Sequence, residues 1–463
     1  MHIKYVKIST YYMAQTVKSY NTPTGMFDLN EKDIHIRNYI FNKTIAILKL
    51  RGAQQIETPV AELYSTVESL YGEEFNKLVY TFDDENQKII LRYDLTVPLA
   101  RYVGSHGLIK FKRFQYGKVY RKDTPQIQKG RLREFYQFDY DIIGDDLQSG
   151  INDMEMLETL ITIMLELLGD NTFCIKLNYK DIVIKMLTIC NISEHLFKTV
   201  FSAIDKLDKK PWSGVAIELQ EKGLDSDQIK LLETFYNDFT KQSTFDLKYK
   251  YLIEKSLLSD ELITQIQQIG YFLNKIDALK YIILDPFLIR GMDYYTGILF
   301  EVTYNNKTIL ESTIAAGGRY DNMIAKFSNH SYIPAIGMSL GIERIVKILE
   351  QTTFNQLNTI VTPTIYIASV GDNMYIHRMI LCHEIRQLGY YTVTSDLPNP
   401  KMRSQFSSVF EDYPNVIPIM IIIGENEIKS NIVTIKDVKN KIQHCVQRNE
   451  IVKFLENLTS NCT

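Results

Sequence analysis

The chain has 463 residues, enough for two or three domains. Its charge is nearly balanced, 52 Lys+Arg against 55 Asp+Glu with a net −3, so no global basicity marks a nucleic-acid binder and any RNA contact must rest on local patches. The 5 cysteines lack CxxC spacing, which argues against a disulfide framework and for a reducing compartment. The most apolar stretch, 416–423, is broken by Pro418 and is too short to span a bilayer, so no membrane partner is expected.

Residues 1–20 carry Lys4, Lys7 and Lys18, and the first acidic residue is Asp28. This start reads as a disordered or strand-like extension. Its early lysines resemble a transit peptide, but it holds no arginine, so a cytoplasmic location is expected with organelle targeting left open. Residues 30–51 predict a helix: Ile34, Phe41, Ile45 and Leu48 recur near the helical period, Asn30 can cap the start and Gly52 can end it. Residues 56–59 predict a short strand closed by Pro59. In the stretch 91–98, LRYDLTVP, Asp94 and Thr96 stand two apart, which puts them on one face if the stretch is a strand. A carboxylate beside a hydroxyl can hold an ammonium, and the same pair can cap a helix.

The stretch 111–144 reads FKRFQYGKVYRKDTPQIQKGRLREFYQFDYDIIG. Two β-prone runs flank a loop with Pro125 and Gly130, which predicts a long hairpin with Arg121 at its loop end. Alternation puts Arg131, Arg133, Phe135, Gln137, Asp139 and Asp141 on one face of the second run. Phe135 to Asp141 would span roughly 20 Å. That face grades from arginines to carboxylates, which suits a long ligand, anionic at one end and cationic or hydrogen-bond-donating at the other. A solvated strand of an antiparallel sheet shows the same alternation.

Residues 151–168 predict an apolar helix and 173–177 a strand. From about 190 to 280 the pattern is helical, with turn marks at Pro211, Gly214, Gly223 and Gly270, as for a helical insertion. The β pattern returns at Leu284. Residues 289–302 then gather Arg290, Asp293, Tyr294 and Tyr295 around Gly291 and Gly297, which suits an anion and a planar polar group as well as a structural turn. AAGGRYD follows at 315–321, and IPAIGMSLGIERI at 333–345 leads a strand into a helix carrying Arg344. It lacks both the P-loop and the dinucleotide spacing. A linker is expected over 351–363. Beyond it, strands at 365–370, 391–395, 417–423 and 431–435 alternate with helices at 374–388, 402–410 and 450–458, which predicts a small α/β domain with parallel strands. Lys401 and Arg403 follow the Pro398-Asn399-Pro400 loop and open a helix whose start is solvated.

Several stretches, in order, resemble the histidyl-tRNA synthetase family in its eukaryotic cytosolic form. LRYDLTVPLARY resembles a histidine-binding segment. VYRKDTPQIQKGRLREFYQFDYDIIG resembles the second class II motif, IGMSLGIERI the third, and the helix and strand around Gly52 and Pro59 the first, which builds a dimer interface. RGMDYYTG and AAGGRYD resemble stretches particular to the histidyl enzymes, and the likeness runs over nearly all of residues 22–458. It implies an α+β fold. An antiparallel class II catalytic sheet with a helical insertion would occupy 1–350, and an α/β anticodon-binding domain would occupy 363–463. The implied reaction joins L-histidine to tRNA(His) through histidyl-adenylate. ATP would arrive with Mg²⁺ as a substrate complex, no zinc or other protein-bound metal is expected, and the chain would work as a homodimer. Arg121 would hold the α-phosphate, Arg131 and Arg344 the outer phosphates, and Phe135 the adenine. Arg290 would neutralise the five-coordinate α-phosphate. Asp94, Thr96 and Gln137 would take the substrate ammonium, and Asp141, Tyr294 and Tyr295 the imidazole.

Three stretches depart from the family pattern: Gly25-Met26-Phe27-Asp28, Tyr179-Lys180-Asp181 after Asn178, and a short segment between Val302 and Ala315. None removes a residue assigned above. Two readings of other classes compete: a catalytically silent regulatory paralogue, and a non-enzymatic RNA-binding protein. The first typically loses binding residues that are present here. The second would bind tRNA without histidine-dependent pyrophosphate exchange.

Overall fold

A computed structural model describes residues 21–68, 77–144, 150–207, 210–291, 294–328, 332–352, 365–409, 419–438 and 440–460. The N-terminal extension, Asp293, most of the expected linker and the start of the strand expected at 417 lie outside them. The described residues fall into two compact units, within Tyr20–Phe354 and within Asn355–Thr463.

The first long element is the helix Glu31–Lys49. Asn30 and Asp33 form a reciprocal capping box at its start, and Gly52, at φ +73°, turns the chain after its end. Ile36, Ile40 and Leu48 are buried from it. The expected strand at 56–59 is corrected. Strand β1 is Gln54–Gln55, and residues 56–59 run on without a ladder. There Arg92 donates to the Thr58 carbonyl at 2.9 Å, and the Gln115 amide donates to the Thr58 hydroxyl at 2.9 Å. Side chains thus satisfy groups that a neighbouring strand would otherwise serve.

Strands β2 (Ala61–Leu63), β3 (Thr81–Asp84) and β4 (Gln87–Leu91) make a small antiparallel sheet in the order β2-β4-β3. Strand pairing stops at Leu91, so Asp94 and Thr96 do not share a strand face. Asp94 instead accepts from the backbone N–H of Thr96 at 3.1 Å and of Val97 at 3.2 Å. It caps the helix Thr96–Ser105, and Pro98 sits in the first turn, where a missing N–H costs nothing.

The main sheet is built from β1, β5 (Phe111–Tyr120), β6 (Glu134–Ile143), β7 (Phe173–Tyr179), β8 (Ile282–Leu284), β9 (Ile298–Tyr304), β10 (Thr313–Arg319) and β11 (Ala335–Gly341). Its order is β1-β5-β6-β11-β10-β9-β7-β8. All internal pairs are antiparallel; β1 and β8 join the two edges in parallel. The helices Glu31–Lys49 and Ile151–Leu168 share one apolar cluster with this sheet and are tied by Arg51, which meets Glu158 at 2.6 Å. The β5–β6 hairpin is as expected, but β6 starts at Glu134, so Arg131 and Arg133 precede it. Between β7 and β8 come helices from Phe197–Ile204 to Asp260–Lys275. Gly214 and Gly270 lie inside these helices rather than at turns; a Cβ on Gly270 would meet the Phe245 ring at 3.2 Å, so close packing explains that glycine.

The second unit has one sheet, β12 (Ile365–Val370), β13 (Thr392–Thr394), β14 (Ile419–Gly424), β15 (Ile432–Asp437) and β16 (Ile442–Gln447), in the order β13-β12-β14-β15-β16. The first three are parallel, whereas β15 and β16 are antiparallel, which corrects the all-parallel expectation. The edge strand β16 is mostly exposed and has no apolar alternation to mark it.

Gly104, in the last turn of the helix Thr96–Ser105, packs against Phe327. A Cβ there would stand 2.2 Å from the Phe327 carbonyl oxygen. Gly→Ala in a free helix gains about 0.5–1 kcal/mol, whereas overpacking costs about 1–3 kcal/mol. Gly104→Ala is therefore expected to lower the thermal midpoint, and a raised midpoint would show that this contact yields.

Candidate active site

The register of five strands decides which side chains share one face. Gln137, Asp139 and Asp141 of β6 lie opposite Gly117, Gln115 and Arg113 of β5. On the other side they lie opposite Gly341, Ser339 and Gly337 of β11. Beyond β11 come Ala316 and Gly318 of β10, then Glu301 of β9 opposite Ala316. Polar walls thus stand on either side of a floor made of glycine, serine and alanine. A Cβ on Gly337 would come within 1.9 Å of Asp141 Oδ1, and one on Gly318 within 2.8 Å of the Tyr295 ring. The carboxylate and the phenol therefore lie directly over the floor.

One end of this cleft gathers carboxylates. Arg113 is fully buried, with Nη2 at 2.8 Å from Asp141 Oδ2 and 3.9 Å from Asp139 Oδ2. Arg113 also donates to the Leu95 carbonyl at 3.1 Å, and the Tyr320 hydroxyl donates to Asp141 Oδ1. Burial pushes the Asp141 carboxyl up, against Arg113 and Tyr320, and Asp94 adds to the rise as a neighbouring negative charge. Tyr295 is buried beside both Asp139 and Asp141, and its phenol is pushed up by burial first and by Tyr294 and these carboxylates next. Tyr294 is 43% exposed, with its ring centroid 4.3 Å from that of Tyr295. Gln137 Oε1, Asp139 Oδ1 and Gln115 Oε1 are buried without a protein hydrogen-bond partner. Buried polar atoms left unpaired are costly, so a cluster of them marks a place for a polar ligand.

The other end gathers guanidiniums. Arg121 donates to the Tyr93 carbonyl at 3.0 Å and lies 4.3 Å over the Tyr93 ring and 5.1 Å over the Phe135 ring. Arg131 pairs with Asp123 at 2.9 Å. Arg290 pairs with Glu301 at 2.7 Å and stands 3.6 Å from Asp205, at the end of the helix Phe197–Ile204. Arg344 donates to the Thr313 carbonyl. Its guanidinium pKa is lowered, by burial first and then by Arg290, with Arg131 and Arg121 adding to it and Glu301 opposing. These four cations therefore face the same space, an arrangement that a polyanion would relieve.

The structure thus brings Asp94, Gln137, Asp141, Tyr294 and Tyr295 to one end, and Arg121, Phe135, Arg290 and Arg344 to the other. Arg131 reaches the second group from outside β6 and is spoken for by Asp123. Thr96 contributes its backbone to the Asp94 cap. Sequence reasoning missed Arg113, Glu301 and Asp205, and gave Asp139 no part. The one available signal for Arg113 was a charge in the middle of an aromatic strand.

Comparison with known proteins now bears on this geometry. Residues 25–345 match the family described as histidyl-tRNA synthetase, and residues 364–458 match the anticodon binding domain. The cytoplasmic histidine–tRNA ligase of Dictyostelium discoideum is 35% identical over 447 residues, covering 95% of this chain and 91% of that one. The chain belongs to the histidyl-tRNA synthetase family. Its relatives include a mitochondrial enzyme of Mus musculus, 32% identical over 449 residues, which covers 94% of this chain and 87% of that one. The solved histidyl-tRNA synthetase of Nostoc sp. shares the fold with a TM-score of 0.75 at 22% identity, covering 95% of this chain and 99% of that one. The α+β catalytic part and the C-terminal α/β part are thus those of a class II histidyl-tRNA synthetase. Among the described residues, no helix is long and apolar enough to cross a membrane.

The synthetase floor makes a sharp demand at Gly337. A methyl group there would force the Asp141 carboxylate aside and break its bond from Tyr320. A hydrogen bond to a charged group is worth about 1.5–3 kcal/mol, or roughly ten- to a hundredfold in affinity. If Asp141 takes the substrate ring, as the family resemblance implies, the displaced carboxylate loses one such bond to the ligand, and Gly337→Ala is expected to weaken L-histidine binding by that factor in calorimetry while circular dichroism stays unchanged. Undiminished affinity would show that Asp141 does not need its present position.

Proposed function

We propose that the carboxylate end of the cleft holds L-histidine and the guanidinium end holds ATP, so that the chain makes histidyl-adenylate and passes the histidyl group to tRNA(His). The observation that carries this assignment is the division of charge along one cleft, with Asp139 and Asp141 around the buried Arg113 and Asp94 as a neighbouring negative charge at one end, and four arginines at the other. In the first step a carboxylate oxygen of histidine attacks the α-phosphorus and pyrophosphate leaves. In the second, a hydroxyl of the terminal adenosine of tRNA attacks the histidyl carbonyl and AMP leaves. ATP enters as its Mg²⁺ complex.

Arg121 is assigned to the α-phosphate, Arg131 and Arg344 to the outer phosphates, and Phe135 to the adenine face. Arg290 is assigned to the five-coordinate α-phosphate, where charge builds up. Its contacts with Glu301 and Asp205 support the role, because they hold the guanidinium in place before ATP arrives. Fixed charge of this kind lowers a barrier without reorganisation at the moment of reaction. Asp94, Thr96 and Gln137 are assigned to the ammonium, and Asp141, Tyr294 and Tyr295 to the ring. The catalytic domain is taken as residues 1–350 and the anticodon-binding domain as 363–463. The chain is read as a cytoplasmic homodimer, a reading supported by the free thiols of Cys174, Cys190, Cys382 and Cys445 and by the exposed apolar side chains of Phe27, Leu29 and Leu50 flanking the helix Glu31–Lys49.

Arg290→Ala is expected to slow histidine-dependent pyrophosphate exchange by roughly 10²–10³, the usual loss for one transition-state donor, with histidine affinity nearly kept. Near-normal exchange in that variant would remove Arg290 from the chemistry. Asp141→Ala is expected to impair histidine activation and to blur discrimination against other amino acids, because a site built on a substrate N–H rejects analogues through its own unpaired group. Unchanged histidine kinetics would refute the ring assignment. A chain ending near Gln351, provided that sedimentation and circular dichroism show it folded and dimeric, is expected to keep pyrophosphate exchange and to lose roughly 10²–10⁴ in tRNA charging. Full charging by that truncation would show that the second unit does not read the anticodon.

A further inference from the structure

Asp139 lies between Gln137 and Asp141 on β6 and has no part in the assignments above. Its carboxylate is 2% exposed, and its Oδ1 has no protein hydrogen-bond partner. The groups that face it come from every neighbouring element. From β5 come Arg113, 3.9 Å away, and the Gln115 amide; from β11 comes Ser339, opposite it in register. On β6 itself stand Asp141 and Gln137, the latter donating at 3.4 Å. Asp94, Tyr295 and, from the segment after β4, the buried Arg92 guanidinium complete the shell.

Asp139 and Asp141 therefore share the Arg113 guanidinium, which sits 2.8 Å from Asp141 and 3.9 Å from Asp139, while the Arg92 guanidinium is engaged by the Lys118 and Thr58 carbonyls. Neighbouring buried carboxylates do not all ionise unless each has a cation directly beside it. The cation that histidine carries into this end is its ammonium. We propose that Asp139 is a further histidine-binding residue, protonated while the pocket lacks substrate and deprotonated when the substrate ammonium arrives. The proton leaves the Asp139 carboxyl for solvent as the ammonium takes its place, so one positive charge replaces another. Burial pushes the Asp139 carboxyl well above the ordinary carboxylate range, Asp141 and Asp94 adding to the rise and Arg113 and Ser339 opposing it. The sign follows: the substrate favours the ionised form, so histidine binding strengthens as pH rises through the titration of Asp139. This places a pH response in the substrate pocket, apart from the ring chemistry of histidine itself.

The inference rests on the histidine assignment above, and one experiment separates the two. The full-length protein is titrated with L-histidine by calorimetry at neutral pH in two buffers of different ionisation enthalpy. The expected result is proton release by the unmodified protein and loss of that release in Asp139→Asn. Protons carried by free histidine are common to both proteins and cancel in the difference. Equal release in the two proteins would overturn the role of Asp139. If the variant does not fold, an infrared difference spectrum of the unmodified protein decides the matter: added histidine must remove a protonated-carboxyl band, and an unchanged band overturns the proposal. A protein that binds no histidine in either buffer would instead refute the assignment of the pocket to histidine, and this inference with it.

Discussion

A guanidinium shut away from water must have carboxylates beside it, and Arg113 has two. That requirement reaches well beyond the pocket. Arg113 is on β5, and Asp139 and Asp141 are on β6, so the ion pairs exist in only one register of the hairpin. A slip by one residue would turn Arg113 to the opposite face, into the cluster that holds Phe114, Phe138 and Tyr140. An unpaired charge there costs far more than a single misplaced apolar residue. The buried ion pair is therefore poor evidence of stability, yet it is a strong device for fixing register. Everything on β6 that faces the cleft inherits its position from that pairing.

The rest of the site is set by what the floor leaves out. Gly337, Ser339 and Gly341 on β11, with Ala316 and Gly318 on β10, keep bulk away from the centre of the cleft. Any larger side chain would fill the space between the carboxylates and Glu301. Gly318 also lets the Tyr295 ring lie against the sheet. The glycines of this stretch are thus explained by close approach rather than by backbone conformation, since their φ values are not in the left-handed region. Gly291 is a different case. Its φ is +62°, and a Cβ would come within 2.7 Å of both Tyr294 and Tyr295. There both conformation and space require glycine, and the turn it makes brings Arg290 and the two phenols to opposite ends of one cleft.

Much of this was legible in the sequence, and the failures share a cause. The alternation of Gln137, Asp139 and Asp141 depends only on strand periodicity, so it could be read directly. The helix after Asn30 could be read because its cap is local. Asp94 could be read either way, because two-residue spacing fits a strand as well as a cap, and on the stretch alone the cap was the better reading. What decided it was a pair of side-chain to backbone bonds that compete with strand pairing. Arg113 was missed for a deeper reason: its importance lies in what it faces, and cross-strand register is a tertiary property. Asp139 was visible on the right face, but a buried carboxylate without its cation looks like any polar strand position. β16 was missed because an exposed edge strand carries little apolar signal.

The division of charge also bears on how a substrate with three polar groups is oriented. Histidine carries an ammonium, a carboxylate and a ring with an N–H. Carboxylates outnumber cations at one end of the cleft, and cations outnumber carboxylates at the other. A field of that kind favours one direction of the bound dipole, and low-dielectric walls strengthen it. Under the proposed assignment, the ammonium is drawn toward Asp94, Gln137 and Asp139, and the substrate carboxylate is driven toward Arg121. That carboxylate is already ionised at neutral pH, so the attacking oxygen needs no base to activate it. It needs position, and position is what fixed charges supply. On that assignment the carboxylates that bind the substrate also aim its nucleophile at the α-phosphorus, so the first step needs neither a protein nucleophile nor a general base in the cleft.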